Sequence, residues 1–252
     1  MERAILFRFH DRFDICRGRV ALLRRLNPDI PIIGLYGGDS GGGEALADLI
    51  QIHSPDVSAL PSRENEPGAW KHGDLVVRTW FLESGHRIRF DMLHVVEWDL
   101  LILEPVDKVF GHIGGDEVGL TGLVPASRKP NDWPWLASGS PPGSEWLALC
   151  AHVGNVGEPH VCQGPGMCLP RVFLERYAAT DVPTLCNDEV RIPLYAQAFG
   201  FALRNTGIAE AWSTPFFNCQ KRPIRRGVVM KELAKPNGYR VFHPFLESFG
   251  MP

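Results

Sequence analysis

Two carboxylates, Glu97 and Asp99, stand one residue apart in the apolar run HVVEWDLLIL, His94 to Leu103. Alternate strand residues point to one face, so a continuous strand would set both acids on one side, roughly 6.5–7 Å apart along the chain. An unpaired carboxylate in a dry core is costly, and two of them also repel each other. A strand end open to water, Arg or Lys partners at the sheet edge, or a divalent cation would each offset that cost. A hard oxygen pair suits magnesium or manganese better than zinc, and such ions take one or two carboxylates plus substrate phosphates.

A second acidic pair, Asp188 and Glu189, opens the segment NDEVRIPLYAQAFGF. Acids in a first helical turn are favoured by the helix dipole whatever their chemistry. The same placement suits a carboxylate that takes a proton from a hydroxyl. Pro193 lies inside this helix and is expected to kink it unless it falls in the first turn. Cys150, His152, His160, Cys162 and Cys168 form a third cluster. They lack the paired C-x2-C spacing of structural zinc sites, so zinc and simple packing both stand as readings.

The elements that must position these residues follow from the apolar pattern. AILFRF, Ala4 to Phe9, reads as a strand, and Val20, Leu23 and Leu26 mark a helix stopped at Asn27-Pro28. IPIIGLY, Ile30 to Tyr36, is the next strand; Ala45, Leu46, Leu49 and Ile50 mark a second helix after GGDSGGG. Strand-helix units of about 30 residues predict a mostly parallel sheet flanked by helices, an α/β single domain of Rossmann type. The run around Glu97 is then a further buried parallel strand. Ligands bind such sheets at the carboxyl ends of the strands, where Asp11 and Asp39 also fall. Neither GxGxxG nor GxxxxGK[ST] occurs, which argues against dinucleotide folds and P-loops.

With 252 residues, 44% apolar and 22% charged, the chain is ordinarily globular. A net charge of −3 gives no pull toward nucleic acid. No apolar run reaches membrane-spanning length, and MERAILFRFHD does not read as a signal peptide, so a cytoplasmic location is expected. Pro125 to Trp146 is rich in Pro, Gly and Ser yet carries Trp133, Trp135 and Trp146, which suits a functional loop. Lys221 to Arg240 holds seven Lys or Arg against one Glu.

The strand-borne acidic pair near residue 100 resembles the DxD region of GT-A fold glycosyltransferases. NDEVRIPLYAQAFGF resembles the acidic, helix-opening segment those enzymes carry about 90 residues later. YRVFHPF, Tyr239 to Phe245, is similar to their C-terminal His-bearing stretch, and GPGMCLPRVFLERY to the small-residue segment before the acceptor helix. Departures are Glu for the first acid, Trp98 between the acids, and Pro193.

The resemblance implies a GT-A-like catalytic domain over 1–252, with a nucleotide-sugar half (1–110) and an acceptor half (111–252). It implies transfer from a UDP- or GDP-sugar to a hydroxyl acceptor, a glycan or glycolipid, with Mn2+ or Mg2+ as cofactor and room for peripheral membrane contact. Asp99, Glu97 and His243 are then the metal ligands, and Asp188 or Glu189 the catalytic base. Asp11, Asp39, Arg222 and Arg225 are nucleotide-binding candidates, and Trp133 and Trp135 acceptor-binding candidates whose faces suit sugar rings. Two rivals share the layout: a non-catalytic nucleotide-sugar-binding protein, and a sugar-nucleotide pyrophosphorylase. The second expects a Gly-rich loop after the first strand, where this chain reads RFHDRFDICR.

Overall fold

The computed structural model describes residues 1–38, 42–56, 58, 60–61, 68–129, 133–136, 141–154, 156–209, 212–219 and 222–249. In chain order the elements are β1 (Arg3–Phe9), α1 (Phe13–Leu26), β2 (Ile32–Tyr36), β3 (Gln51–His53), α2 (Gly68–Lys71), α3 (Gly73–Glu83), β4 (Met92–Glu97) and β5 (Leu101–Ile102). They continue with α4 (Val106–Phe110), β6 (Glu117–Pro125), α5 (Pro141–Val153), β7 (His160–Pro170), α6 (Arg171–Ala179), α7 (Asp188–Ala198), β8 (Ala202–Asn205), α8 (Arg226–Leu233) and β9 (Val241–Phe242).

Seven strands form one mostly parallel sheet, ordered β3-β2-β1-β4-β7-β6-β8, and helices flank it. β1 pairs in parallel with β2 and β4, while β7 runs antiparallel between β4 and β6. The period of two along β1 and β4 sorts their side chains to two cores. Ala4, Leu6, Leu93 and Val95 join Val76, Trp80, Phe173 and Val190 of α3, α6 and α7. Ile5, Phe7, Phe9, Met92 and Val96 join Cys16, Val20 and Leu23 of α1. Continued by two, the first face carries Arg8 and Glu97 at the carboxyl ends of their strands. A third, smaller core joins Leu101, Leu103, Phe242, Phe245 and Phe249 under the C-terminal segment.

Two expectations about elements are corrected. The apolar run through Asp99 is not one strand: β4 ends at Glu97, and Leu100 N–H closes a turn on the Glu97 carbonyl. The chain then leaves the main sheet, and β5 pairs antiparallel with β9. Glu97 and Asp99 therefore do not share a strand face. The helix expected from Ala45 is only a 3-10 turn, Gly43–Leu46, because the chain is drawn into β3 beside β2 five residues later. Among the described residues, no helix is long and apolar enough to cross a membrane.

Candidate functional site

Arg8 and Glu97 are register partners on the adjacent parallel strands β1 and β4. The Arg8 guanidinium donates from Nη1 to Glu97 Oε1 at 3.3 Å and to Asp188 Oδ2, on the first turn of α7, at 3.4 Å. Gly73 makes room for it: a Cβ there would stand 1.9 Å from Arg8 Nη2. One cation thus spans β1, β4 and α7. Its bonds are long for charge-assisted contacts.

Glu189 points to the same edge. Its carboxylate accepts from the Gly164 N–H at 2.9 Å and from Asn187 Nδ2 at 3.0 Å. A Cβ on Gly164 would lie 3.6 Å from Glu97 Oε1 and 3.7 Å from Glu189 Oε1, so the two acids look across one bare stretch of backbone. Pro193 sits within α7 without ending it. Its missing N–H frees the Glu189 carbonyl four residues back, and the Cys162 thiol donates there instead at 3.4 Å.

Charge in this cluster is unbalanced. Burial pushes the Asp188 carboxyl up to about 8 against the pull of Arg8, with Asp74, Glu189 and Glu97 adding repulsion. Burial likewise raises Glu189 to about 7, although its two N–H donors favour the ion. Both acids sit in the range expected of a general base working near neutrality.

Asp99 lies in the turn after β4, and its backbone carbonyl accepts from Phe245 N–H at 2.8 Å. Its Oδ2 faces His243 Nε2 at 3.4 Å. The His243 Nδ1 is 2.9 Å from the Asn218 carbonyl, which can only accept, so Nδ1 carries a proton and Nε2 is turned to Asp99. Burial opposes charge on both groups, yet each favours the other's ion: His243 is held above its ordinary range and Asp99 below. Asp99 Oδ1 is buried with no hydrogen-bond partner among the described residues.

These features fit a hard divalent cation. A metal-binding His commonly donates its second ring N–H to a backbone carbonyl, as His243 does to Asn218. The idle Asp99 Oδ1 supplies an oxygen donor beside it. Glu97 is engaged with Arg8 in this arrangement. Among the described residues no three His, Cys, Asp or Glu side chains gather to hold a metal ion unaided. The zinc cluster disperses accordingly: Cys150 lies on α5, Cys162 bonds to α7, and Cys168 faces His94 Nδ1 at 3.3 Å.

Asp11 is exposed at the carboxyl edge of β1, with its carboxylate 3.5 Å from His10 Nε2. Asp39 and Lys221 fall outside the described residues. Arg222 and Arg225 are exposed, and the Arg222 backbone is tied to Asn218, next to the His243 contact. Trp135 is buried with Lys71 over its ring, and Trp133 packs edge-on against Trp212 at 4.9 Å. Sequence reasoning missed Arg8, whose signal was a cation at the carboxyl end of a buried apolar strand. It also missed Asn218, Gly164 and Cys219, an exposed residue whose sulfur is desolvated, its thiol pushed up by that and by Glu189, Glu97 and Asp99.

No family model and no curated protein matches the chain. Several solved structures are similar to parts of the chain, each at a TM-score under 0.5. The galactosyltransferase LgtC, crystallised with donor and acceptor sugar analogues, is 12% identical over 80% of this chain and 72% of its own, with a TM-score of 0.47. Glucosyl-3-phosphoglycerate synthase from Mycobacterium tuberculosis, in complex with Mn2+, UDP and phosphoglyceric acid, is 15% identical over 92% and 75%, with a TM-score of 0.46. The bifunctional glycosyltransferase WbbM is 12% identical over 96% and 45%, also with a TM-score of 0.46.

Proposed function

We propose that the chain is a glycosyltransferase that moves a sugar from a nucleoside diphosphate sugar to a hydroxyl acceptor with the help of Mn2+ or Mg2+. The observation that carries this reading is the charge count at the carboxyl edge. Glu97, Asp99, Asp188 and Glu189 converge there against Arg8, which reaches Glu97 and Asp188, and His243, which faces Asp99, and Asp99 Oδ1 has no partner among the described residues. A divalent cation joined to a diphosphate supplies the missing positive charge and the anionic leaving group that such a site would stabilise.

In this reading Asp99 and His243 would hold the cation, which would neutralise charge on the diphosphate. Glu97 acts in the same site by orienting Arg8. Arg222 and Arg225, on the segment tied to Asn218, meet the diphosphate from the solvent side, and Asp11 flanks the nucleotide. The acceptor hydroxyl gives its proton to Glu189 or Asp188, both held near neutrality by burial. Trp133, only partly buried, offers an aromatic face on the acceptor side; Trp135 is buried beneath Lys71 and serves packing instead. Separate Asp188→Asn and Glu189→Gln variants divide the two roles: the base is the one whose loss abolishes turnover while donor binding persists.

The test is a calorimetric titration of UDP and GDP, each with and without manganese, on wild type and Asp99→Ala. Binding that needs both manganese and Asp99 supports the transferase, and the preferred nucleotide narrows the donor. Binding indifferent to both points to a nucleotide-sugar-binding protein with a structural acidic pair. No binding of either nucleotide would overturn the reading.

A further inference from the structure

Asn187 stands at the N-cap of α7, with the extended backbone that position requires, φ −114° and ψ 179°. An asparagine there ordinarily turns its side-chain oxygen onto a free N–H of the first helical turn. Asn187 makes no such bond. Its amide nitrogen reaches forward instead and donates to Glu189 Oε2 at 3.0 Å. Its Oδ1 is buried with no partner among the described residues. Turning the amide over would set an oxygen against a carboxylate oxygen, so the donor is the atom that faces Glu189. The helix thus starts without a side-chain cap and beside an idle buried acceptor, two departures from what stability alone favours.

The result is a carboxylate gripped from two sides. Gly164 N–H of β7 holds Glu189 Oε1 at 2.9 Å while Asn187 holds Oε2, so the plane of the group is set. A carboxylate oxygen has two lone pairs, so each still has one to offer. Glu189 is also partly exposed, which leaves it open to an incoming hydroxyl. Its neighbour Asp188 is buried, and among the described residues it is held at one oxygen only, by Arg8 at 3.4 Å. Of the two acids, Glu189 alone combines a fixed orientation with an approach for substrate.

We propose that Asn187 is a positioning residue that forgoes the helix cap to clamp Glu189 Oε2, and so presents Glu189, rather than Asp188, as the base for the acceptor hydroxyl. The inference rests on the transferase reading above and chooses between the two acids that reading leaves open. In the step it serves, the hydroxyl proton passes to Glu189 and the acceptor oxygen bonds to the anomeric carbon. The bond from that carbon to the diphosphate breaks, and its electron pair leaves on the diphosphate oxygen. A base held in line for that attack contributes through orientation, and a small misplacement costs rate more than affinity. An Asn187 that serves only the fold predicts otherwise: serine, an equally good cap without the forward amide, keeps full activity.

The experiment measures nucleotide release from UDP-glucose, UDP-galactose and GDP-mannose with manganese, water serving as the acceptor. Wild type, Asn187→Ser, Asn187→Ala, Glu189→Gln and Asp188→Asn are compared, with thermal unfolding followed on each. The expected result is a kcat lowered about ten- to hundredfold in Asn187→Ser and Asn187→Ala, with KM for the donor unchanged. Asn187→Ser keeps at least the wild-type unfolding midpoint, because serine restores the cap that asparagine forgoes. Full kcat in Asn187→Ser, or a loss of kcat that comes with a lowered midpoint or a raised KM, overturns the inference. So does wild-type turnover in Glu189→Gln, which moves the base elsewhere and leaves the transferase reading standing. A wild type that releases nucleotide from none of the three donors overturns that reading and the inference with it.

Discussion

Helix α7 presents two buried Arg–carboxylate systems within one turn, and they are built differently. Arg191 meets Asp74 of α3 with both Nε and Nη2, and Tyr177 adds its hydroxyl to the same carboxylate. Both ionic side chains are sealed from solvent. One residue-turn earlier, Arg8 reaches Glu97 and Asp188 through a single nitrogen at 3.3 and 3.4 Å, with Glu189 close by. The first system is closed: every charge is matched and the pair fastens α7 to α3. The second is open, with more acid than cation, and only the second lies where strand ends meet the edge of the sheet. The matched pair fastens two helices, whereas the unmatched cluster leaves excess negative charge at the strand ends.

The comparison breaks most sharply at Arg191. Arg191→Met leaves Asp74 buried and unpaired, and urea unfolding is expected to show a loss of about 3–5 kcal/mol. Arg8→Met is expected to cost less, about 1.5–3 kcal/mol, because its bonds are longer and its site is nearer water. That loss is larger at pH 9 than at pH 6, since Asp188, raised to about 8, is fully charged only above that value. Denaturation curves at both pH values check it.

Asp188→Asn and Glu189→Gln sharpen the contrast in the opposite sense. A carboxyl raised in the folded state binds more protons there than in the unfolded chain, so its contribution to stability falls as pH rises from the ordinary acid range toward 8. Removing either acid is expected to raise stability at pH 8 by on the order of 1 kcal/mol and flatten the pH profile, while turnover is lost only with the one that serves as the proposed base. An acid that serves only the fold would not trade in this way. At the bottom of the scale, Arg17→Ala opens the exposed pair with Asp48 and is expected to leave the unfolding midpoint unchanged in the same assay.

The sequence made the first half of the sheet legible, because β1, β2 and β4 are short, strongly apolar and bounded by turn residues. It also pointed to Asp188 and Glu189 at a helix start, and α7 begins at Asp188. The break after Glu97 was hidden, since Leu100 to Leu103 look like more of the same strand until β9 supplies a separate partner from far along the chain. Arg8, Asn218 and Gly164 were hidden for a related reason. Their meaning lies in contacts with residues from 25 to about 180 positions away, and no local period encodes those. The short segment around Ala45 misled because four apolar residues fit a helix but span too little chain to hold one against a parallel neighbour.

The antiparallel insertion of β7 has a consequence for how the molecule comes to exist. β4 is complete by Glu97, yet its second edge is filled only when residues 167–170 arrive, and β6 waits for the same strand. During synthesis or refolding an apolar strand with one open edge must persist across some 70 intervening residues, a non-local closure of the kind that slows folding and invites association. Chaperone dependence and concentration-dependent refolding yields are therefore expected of this chain. Substitutions that weaken β7 should appear first as lost soluble protein and only later as lost thermal stability.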